Sequence, residues 1–153
     1  RSYIPIGFLK QRQIASNKLL IIPEGTLYHF GILTSKVHMT WVRIIGGRMK
    51  SDYSYSPATV YNTFPWPELN EEQIKKIENT AQEILNIRAN YPDADLAHLY
   101  DNDMMLYPDL KKAHQANDRT VMAAYGFRQD MTEPEIVAAL FRMYQELTEN
   151  KNI

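Results

Sequence analysis

The sequence contains no cysteine among its 153 residues, which excludes disulfide bonds and thiolate metal sites. This absence is compatible with a reducing cytoplasm, where we expect the protein to be located. No apolar run approaches the roughly 18 residues that a membrane-spanning helix needs, and no signal-peptide pattern is present, so we expect no membrane partner. The first residue is Arg1 rather than methionine, and we expect the chain to be a segment of a longer polypeptide.

Motifs of self-contained catalysis are also missing. Gly46-Gly47 has neither P-loop nor dinucleotide-binding spacing, and no nucleophile elbow, zinc signature or kinase motif set occurs. His114 and Asp118 are one helical turn apart and would supply two metal ligands, but no third ligand is evident. We interpret them, like His98 and Asp101, as polar contacts on a helix surface. The sequence therefore predicts no catalytic, metal-binding or cofactor-binding residue in this chain.

Charge is distributed unevenly along the chain. Residues 1–67 carry eight Lys/Arg and two acidic residues, a net +6, whereas residues 68–153 carry nine Lys/Arg and sixteen acidic residues, a net −7. Such a split indicates two roles, and the basic half suits a polyanionic partner. The simpler explanation, that short segments fluctuate in charge, stays open.

The first half reads as a small mixed α/β part. Apolar residues recur at helical spacing from Gly31 to Ile45, and Gly46-Gly47 ends that helix. Residues with high β propensity, bounded by Pro and Gly, predict extended segments on both sides of it. The predicted extended segments are Leu19–Ile22, Leu27–Phe30, Ser51–Tyr55 and Thr59–Phe64.

The second half reads as wholly helical. Pro65-Trp66-Pro67 marks a boundary, because a proline disfavours helix at the residue before it. We therefore predict an α+β chain with a small mixed α/β part at residues 1–67 and an all-α helical bundle at residues 68–153. The predicted helix starts are Asn70 (capped with Gln73), Asp93 or Asp95, Pro108 and Thr132. For the last helix we predict an apolar face made by Ile136, Val137, Leu140, Phe141, Tyr144 and Leu147.

The most informative stretch is Gly46–Pro67, with the sequence GGRMKSDYSYSPATVYNTFPWP. It interleaves cations with aromatic residues between a glycine turn and two prolines. Cations meet phosphates, and polar side chains reach base edges, so this pattern suits a surface that touches nucleic acid.

The segment from Phe30 to Pro67, which ends in YNTFPWP, resembles the target-recognition region of MmeI-like DNA methyltransferases. The second half resembles the C-terminal helical domain of the same family, through DADLAHLYD (Asp93–Asp101) and PDLKKAHQANDRTVMAAYG (Pro108–Gly126). The resemblance covers nearly the whole chain in the family's order.

The family transfers a methyl group from S-adenosylmethionine to adenine N6, using an Asn-Pro-Pro-Tyr type motif in a separate domain. This chain has no such motif. The resemblance therefore implies the DNA-reading end of a restriction–modification enzyme without its catalytic domain. It implies double-stranded DNA and the methyltransferase domain of the same polypeptide as partners, and S-adenosylmethionine as a cofactor of the full-length enzyme only.

The resemblance also implies base-reading positions after the Gly-Arg step, and these correspond to Lys50, Asp52 and Ser54. Residues two apart on an extended segment face the same side. Lysine can donate to guanine O6 and N7, and aspartate can accept from cytosine N4, so the first two suit one G·C pair. Some relatives carry Glu and Arg here, which reverses the charges, and Ser54 departs from an arginine expected in some relatives. From spacing alone, a solvated Lys–Asp ion pair is the favoured explanation, and the resemblance shifts the preference to base reading.

The remaining cations of this half, Lys36, Arg43 and Arg48, are then candidates for phosphate contacts. In the helical half, Lys111, Lys112 and Arg119 share one predicted helix and are further candidates for contacts with the DNA backbone. We expect the helical half to brace the recognition half or to close around the DNA. An alternative from another class is a protein-interaction or assembly module whose acidic helices dock a partner.

Overall fold

The computed structural model describes residues 3, 6, 7, 26–45 and 63–151, and every regular element in these ranges is a helix. The mixed α/β architecture predicted for the first half is therefore not seen in its described part. The predicted segments Leu19–Ile22 and Ser51–Tyr55 lie outside the described residues, and the end of Thr59–Phe64 is a turn and a bend. The α-helices are α1 (Leu27–Leu33), α2 (Lys36–Ile45), α3 (Glu71–Ala89), α4 (Leu96–Leu99), α5 (Pro108–Ala124) and α6 (Glu133–Lys151), and a short 3-10 helix (Asp101–Met104) follows α4.

The prediction that Leu27–Phe30 is a strand is wrong, because these residues begin α1. The Thr26 hydroxyl accepts from the backbone N–H of His29, and His29 Nδ1 accepts from the backbone N–H of Thr26, which forms a capping box. Histidine is not the Glu or Gln that usually completes this motif, so the helix start was not recognised.

The single helix predicted from Gly31 to Ile45 is two helices separated by Thr34 and Ser35. The Ser35 hydroxyl donates to the Ile32 carbonyl at 2.7 Å and accepts from the His38 backbone N–H at 3.4 Å. A serine side chain that bonds to nearby backbone groups competes with helix continuation. The chain therefore turns here and restarts as α2.

The starts of the later helices follow their local sequence. The predicted Asn70–Gln73 capping box is present at α3, with bonds of 2.8 and 3.0 Å. Asp95, rather than Asp93, caps α4 by accepting from the His98 backbone N–H at 2.8 Å. Pro108 is the first residue of α5, and Gly126 follows that helix with a φ of +74°.

The start of α6 also agrees with the sequence. The side chains of Thr132 and Glu135 reach each other's backbone N–H, as predicted for a capped start. Of the predicted apolar face, Ile136 and Leu140 are fully buried, and most of the rest is half-buried. Leu147, which is 40% exposed, does not belong to the buried face.

Two adjoining clusters of buried side chains make the core. One contains Trp41 of α2 and Ile136 of α6, and the other contains Ala81 of α3 and Leu110 of α5. Because α1 contacts both α3 and α5, and α2 contacts α5 and α6, residues 26–45 share their core with the C-terminal helices. No helix in the described ranges is long and apolar enough to cross a membrane.

Gly31 lets α1 approach α3 closely. A Cβ at this position would lie 2.5 Å from Cγ2 of Ile77 and 3.4 Å from Cβ of Ala81. The Gly31 carbonyl accepts from Nδ2 of Asn117 at 2.8 Å, which fixes α1 against α5 as well. The lack of a side chain here is thus a packing requirement of the α1–α3–α5 junction.

We expect Gly31→Ala to lower the free energy of unfolding by about 1–3 kcal/mol, because the added methyl group overpacks this junction. Denaturant unfolding measures the change. Ile77→Ala supplies the matched test, since it removes the clashing methyl group. The double variant should lose less stability than the sum of the single variants, and simple additivity would contradict the close contact.

Candidate nucleic-acid interface

Helix α2 leads directly into the predicted base-reading segment. It ends at Ile45, one residue before Gly46, and carries the predicted phosphate contacts Lys36 and Arg43 at opposite ends. The other predicted site residues, Arg48, Lys50, Asp52 and Ser54, lie outside the described residues. The described geometry therefore shows what holds the helix that precedes the predicted reading segment in the sequence.

Asp118 of α5 caps the N-terminus of α2. Its Oδ1 accepts from the backbone N–H of Lys36 at 2.8 Å, and its Oδ2 accepts from the Tyr3 hydroxyl at 2.6 Å. Burial raises the pKa of the Asp118 carboxyl to about 6, although Tyr3, the Lys36 N–H and the Lys36 and Arg119 charges lower it in part. The Asp118 carboxylate of α5 thus accepts a hydrogen bond from a backbone N–H at the start of α2, 82 residues away in the sequence, which has no partner within that helix.

A chain of polar and aromatic side chains continues from this cap into the core. The Tyr3 ring lies 4.4 Å from the His114 ring, and Nε2 of His114 is 2.5 Å from the Tyr100 hydroxyl. Nε of Arg88 donates to the same hydroxyl at 3.0 Å, and its guanidinium lies 5.1 Å from the centre of the Phe30 ring. The network ties α1, α3 and α5 to the segment that precedes α5.

His114 is fully buried within this network. Burial, together with the smaller effect of the nearby Arg88 charge, lowers the pKa of its imidazole to about 3. His114 is therefore a core group and not a polar contact on a helix surface, whereas Asp118 is half-buried and bonds to Tyr3 and to the start of α2. In the described ranges, no group of three or more His, Asp or Glu side chains is placed to hold a metal ion.

The middle of α2 is held in an aromatic cluster. Trp41 is 1% exposed, and its ring lies 5.2 Å from Phe141 and 6.2 Å from Tyr144, both on α6. His38 is fully buried, with Phe64 edge-on at 4.5 Å, and burial lowers the pKa of its imidazole to about 3. Aromatic contacts of this kind fix orientation in addition to burying apolar area. Helix α2 therefore has little freedom to rotate.

Arg43, near the C-terminus of α2, forms an ion pair with Glu133, the first residue of α6. Its side chain is 27% exposed and that of Glu133 is 44% exposed. The predicted phosphate contact thus has a carboxylate partner on α6. By contrast, the Lys36 amino group has no ion pair with any residue in the described part of the chain.

The Asp118 cap, the Arg88 network and the Arg43–Glu133 pair were not predicted from the sequence. The sequence indicates Asp118 only as a residue one helical turn from His114. The groups it joins are 82 and 115 residues away in the sequence, and no local pattern signals such a pairing.

Comparisons with known proteins place the chain in a family. Residues 1–68 match the family model of the MmeI target recognition domain, and residues 69–151 match that of the MmeI C-terminal domain. The chain is 41% identical over 149 residues to DNA methyltransferase A of Bacillus subtilis (strain 168). The aligned residues make up 97% of this chain and 17% of that protein.

A similar solved structure is that of the Type IIL restriction–modification enzyme MmeI in complex with DNA. It shares 47% sequence identity and a TM-score of 0.78, over 84% of this chain and 17% of that one. The chain thus spans about one sixth of the length of either relative. Since both family models match in order and together cover nearly every residue, the chain belongs to the MmeI family, as its target recognition and C-terminal domains.

Proposed function

We propose that the chain reads double-stranded DNA sequence for an adenine-N6 methyltransferase of a restriction–modification system. Two relatives support this proposal: a DNA methyltransferase, and a restriction–modification enzyme whose structure contains DNA. S-adenosylmethionine would be held by a part of the polypeptide outside this chain, because no glycine-rich cofactor motif occurs in the sequence. We place the protein in the cytoplasm, where its DNA substrate would be.

The observation that carries this proposal is the anchoring of α2. Asp118 caps its start, Trp41 is packed into the aromatic cluster at its middle, and Arg43 joins its end to α6. The chain enters the predicted reading segment from a helix fixed at three points. Direct readout requires side chains held in register with base edges, and a rigidly held helix immediately before the segment in the sequence favours such a register.

The proposed roles follow from the chemistry of each side chain. Lys50 donates to guanine and Asp52 accepts from cytosine of one base pair, and Ser54 reads a neighbouring base. Lys36 and Arg48 contact phosphates and set the position of the protein on the duplex. Arg43 contacts a phosphate while it keeps its pair with Glu133, because a guanidinium has five N–H donors and can serve two anions.

We expect the affinity of the full-length enzyme for a duplex to fall steeply as salt rises, because each neutralised phosphate releases counterions. The logarithm of the binding constant should fall linearly with the logarithm of salt concentration, with a slope of about −0.9 per phosphate contact. Fluorescence anisotropy at several salt concentrations measures the slope. Binding that does not respond to salt, or no binding to any duplex, would contradict the proposal.

A second candidate function, an assembly module, is favoured by one surface feature. Met105 and Leu106 are 79% and 69% exposed, beside three consecutive residues with left-handed φ values of 47°, 57° and 62° (Asn102, Asp103 and Met104). Met104 itself is 1% exposed and anchors this turn in the core. If assembly is the main role, Met105→Ser with Leu106→Ser should abolish self-association or partner binding in analytical ultracentrifugation while leaving DNA affinity unchanged.

A further inference from the structure

An open groove of about 480 Å³ runs between α3 and α5. Lys76 and Thr80 line it from α3, and Arg119 and Thr120 line it from α5. Alanines at the α5 side leave the floor of the groove accessible. The groove lies in the acidic half of the chain, yet the described residues that line it include two cations and no carboxylate.

The hydroxyl groups of the groove already have acceptors. Thr80 donates to Oδ1 of Asn117 at 2.7 Å, and Thr120 donates to the Ala116 carbonyl at 3.1 Å. The groups that would meet an incoming anion are therefore the two cations, Lys76 and Arg119.

Both cations are accessible. The guanidinium of Arg119 has no ion pair with a described residue, and its side chain is exposed. Lys76 lies 3.6 Å from Glu72 in a pair whose side chains are 66% and 79% exposed. An exposed i,i+4 pair contributes only about 0.3–0.5 kcal/mol, so it yields readily to a phosphate.

Lys75, the neighbour of Lys76, has a different environment. It lines a separate hollow that also contains Glu71 and Glu78. Of these two adjacent lysines, only Lys76 faces a groove whose described lining contains no carboxylate.

The groove also adjoins the predicted phosphate contact on α2. The charges of Lys36 and Arg119 both act on the Asp118 carboxyl, whose Oδ1 is 2.8 Å from the Lys36 backbone nitrogen. Arg119 therefore follows directly on the residue of α5 that caps α2, while Lys76 faces the same groove from α3. Two cations on one open groove suit the repeating charge of a nucleic-acid strand.

We propose that the α3–α5 groove binds the phosphodiester backbone of the DNA, with Arg119 and Lys76 as its phosphate contacts. This inference rests on the proposed DNA-reading function and extends it to the C-terminal domain. Because phosphate contacts carry no sequence information, these residues add affinity and set orientation without choosing bases. The helical half then closes on the DNA as well as supporting the recognition half.

The test uses the full-length enzyme with Lys76→Gln and Arg119→Gln, titrated with cognate and unrelated duplexes over 50–200 mM salt. Each variant should lose affinity equally for both duplexes, and the salt slope should become shallower by about 0.9 per lost contact. The factor by which affinity falls between 50 and 200 mM salt should be about 3.5 times smaller for each contact that is lost. Arg119→Lys keeps the charge and should keep the slope.

Lys75→Gln and Arg142→Gln are the matched controls, because each removes an exposed cation outside the groove. Both should retain the slope of the unsubstituted enzyme. If the groove variants behave like these controls while the enzyme binds DNA, this inference is overturned and the proposed function stands. If the unsubstituted enzyme binds no duplex at all, both are overturned.

Discussion

Exchanging the charges at two positions, as Lys50→Glu with Asp52→Arg, is expected to change the preferred base pair at one position of the recognition sequence. Lysine presents donors suited to guanine, and aspartate presents an acceptor suited to cytosine. The exchange places the acceptor first and the donor second, which favours the opposite orientation of the pair. A good bidentate contact discriminates against the wrong base by about 1–3 kcal/mol, or roughly 5- to 150-fold.

The measurement is methylation of a set of duplexes that differ only at one base pair, with the full-length enzyme and its double variant. The control is Lys36→Gln, which removes a proposed phosphate contact and should weaken all duplexes alike. An unchanged order of preference in the double variant would show that these two side chains do not read bases.

Acid is expected to destabilise the fold between pH 6.5 and about 4. His38 and His114 are fully buried, and burial lowers the pKa of each imidazole from 6.5 to about 3. Because the pKa of each histidine is lower in the folded state than in the unfolded state, its contribution to the free energy of unfolding is fully present above pH 6.5. This contribution is lost as the pH falls toward 3. Each contributes a loss of about 1.4 kcal/mol per pH unit in this window.

Asp118 opposes part of this loss. The pKa of its carboxyl is raised from 3.8 to about 6, so the folded state holds an extra proton between these values and is favoured as the pH falls. Near pH 5 the unfolded state therefore binds about one proton more than the folded state, counting these three groups. The expected net loss is on the order of 3 kcal/mol from pH 6.5 to 4, a large share of a typical stability of about 5–15 kcal/mol.

Denaturant unfolding at a series of pH values measures this dependence. His114→Gln should reduce the slope of the unfolding free energy against pH by the equivalent of about one bound proton. Asp118→Asn should increase that slope by the equivalent of about one bound proton between pH 4 and 6. His98→Gln, at an exposed position on α4, is the control and should leave the profile unchanged. A stability that does not vary between pH 6.5 and 4 would contradict the neutral burial of the two histidines.

Local sequence signals predicted those parts of the fold that depend on neighbouring residues. Asn70 with Gln73, and Thr132 with Glu135, mark helix starts because the bonding groups lie three residues apart. The failure at Leu27–Phe30 has the same origin, since the cap is completed by His29 rather than by Glu or Gln.

Tertiary pairs were beyond the reach of sequence patterns. Arg43 and Glu133 are 90 residues apart in the sequence, and the local sequence around each predicts only a charged surface residue. The Lys36–Asp118 contact is similar, because a carboxylate that caps another helix leaves no periodic trace in the sequence. The sequence therefore predicts phosphate contacts at Lys36 and Arg43 without indicating what holds the helix that carries them.

The three-point attachment of α2 has a consequence for substitutions in the predicted reading segment. Substitutions after Gly46 leave the supports at Asp118, Trp41 and Glu133 untouched, so we expect them to leave the anchoring of α2 intact. A single residue inserted between Trp41 and Ile45 is different, because it would turn the direction in which the chain leaves α2 by roughly 100°. We therefore expect the length of this short helix to be fixed, whereas the residues that follow it should tolerate exchange.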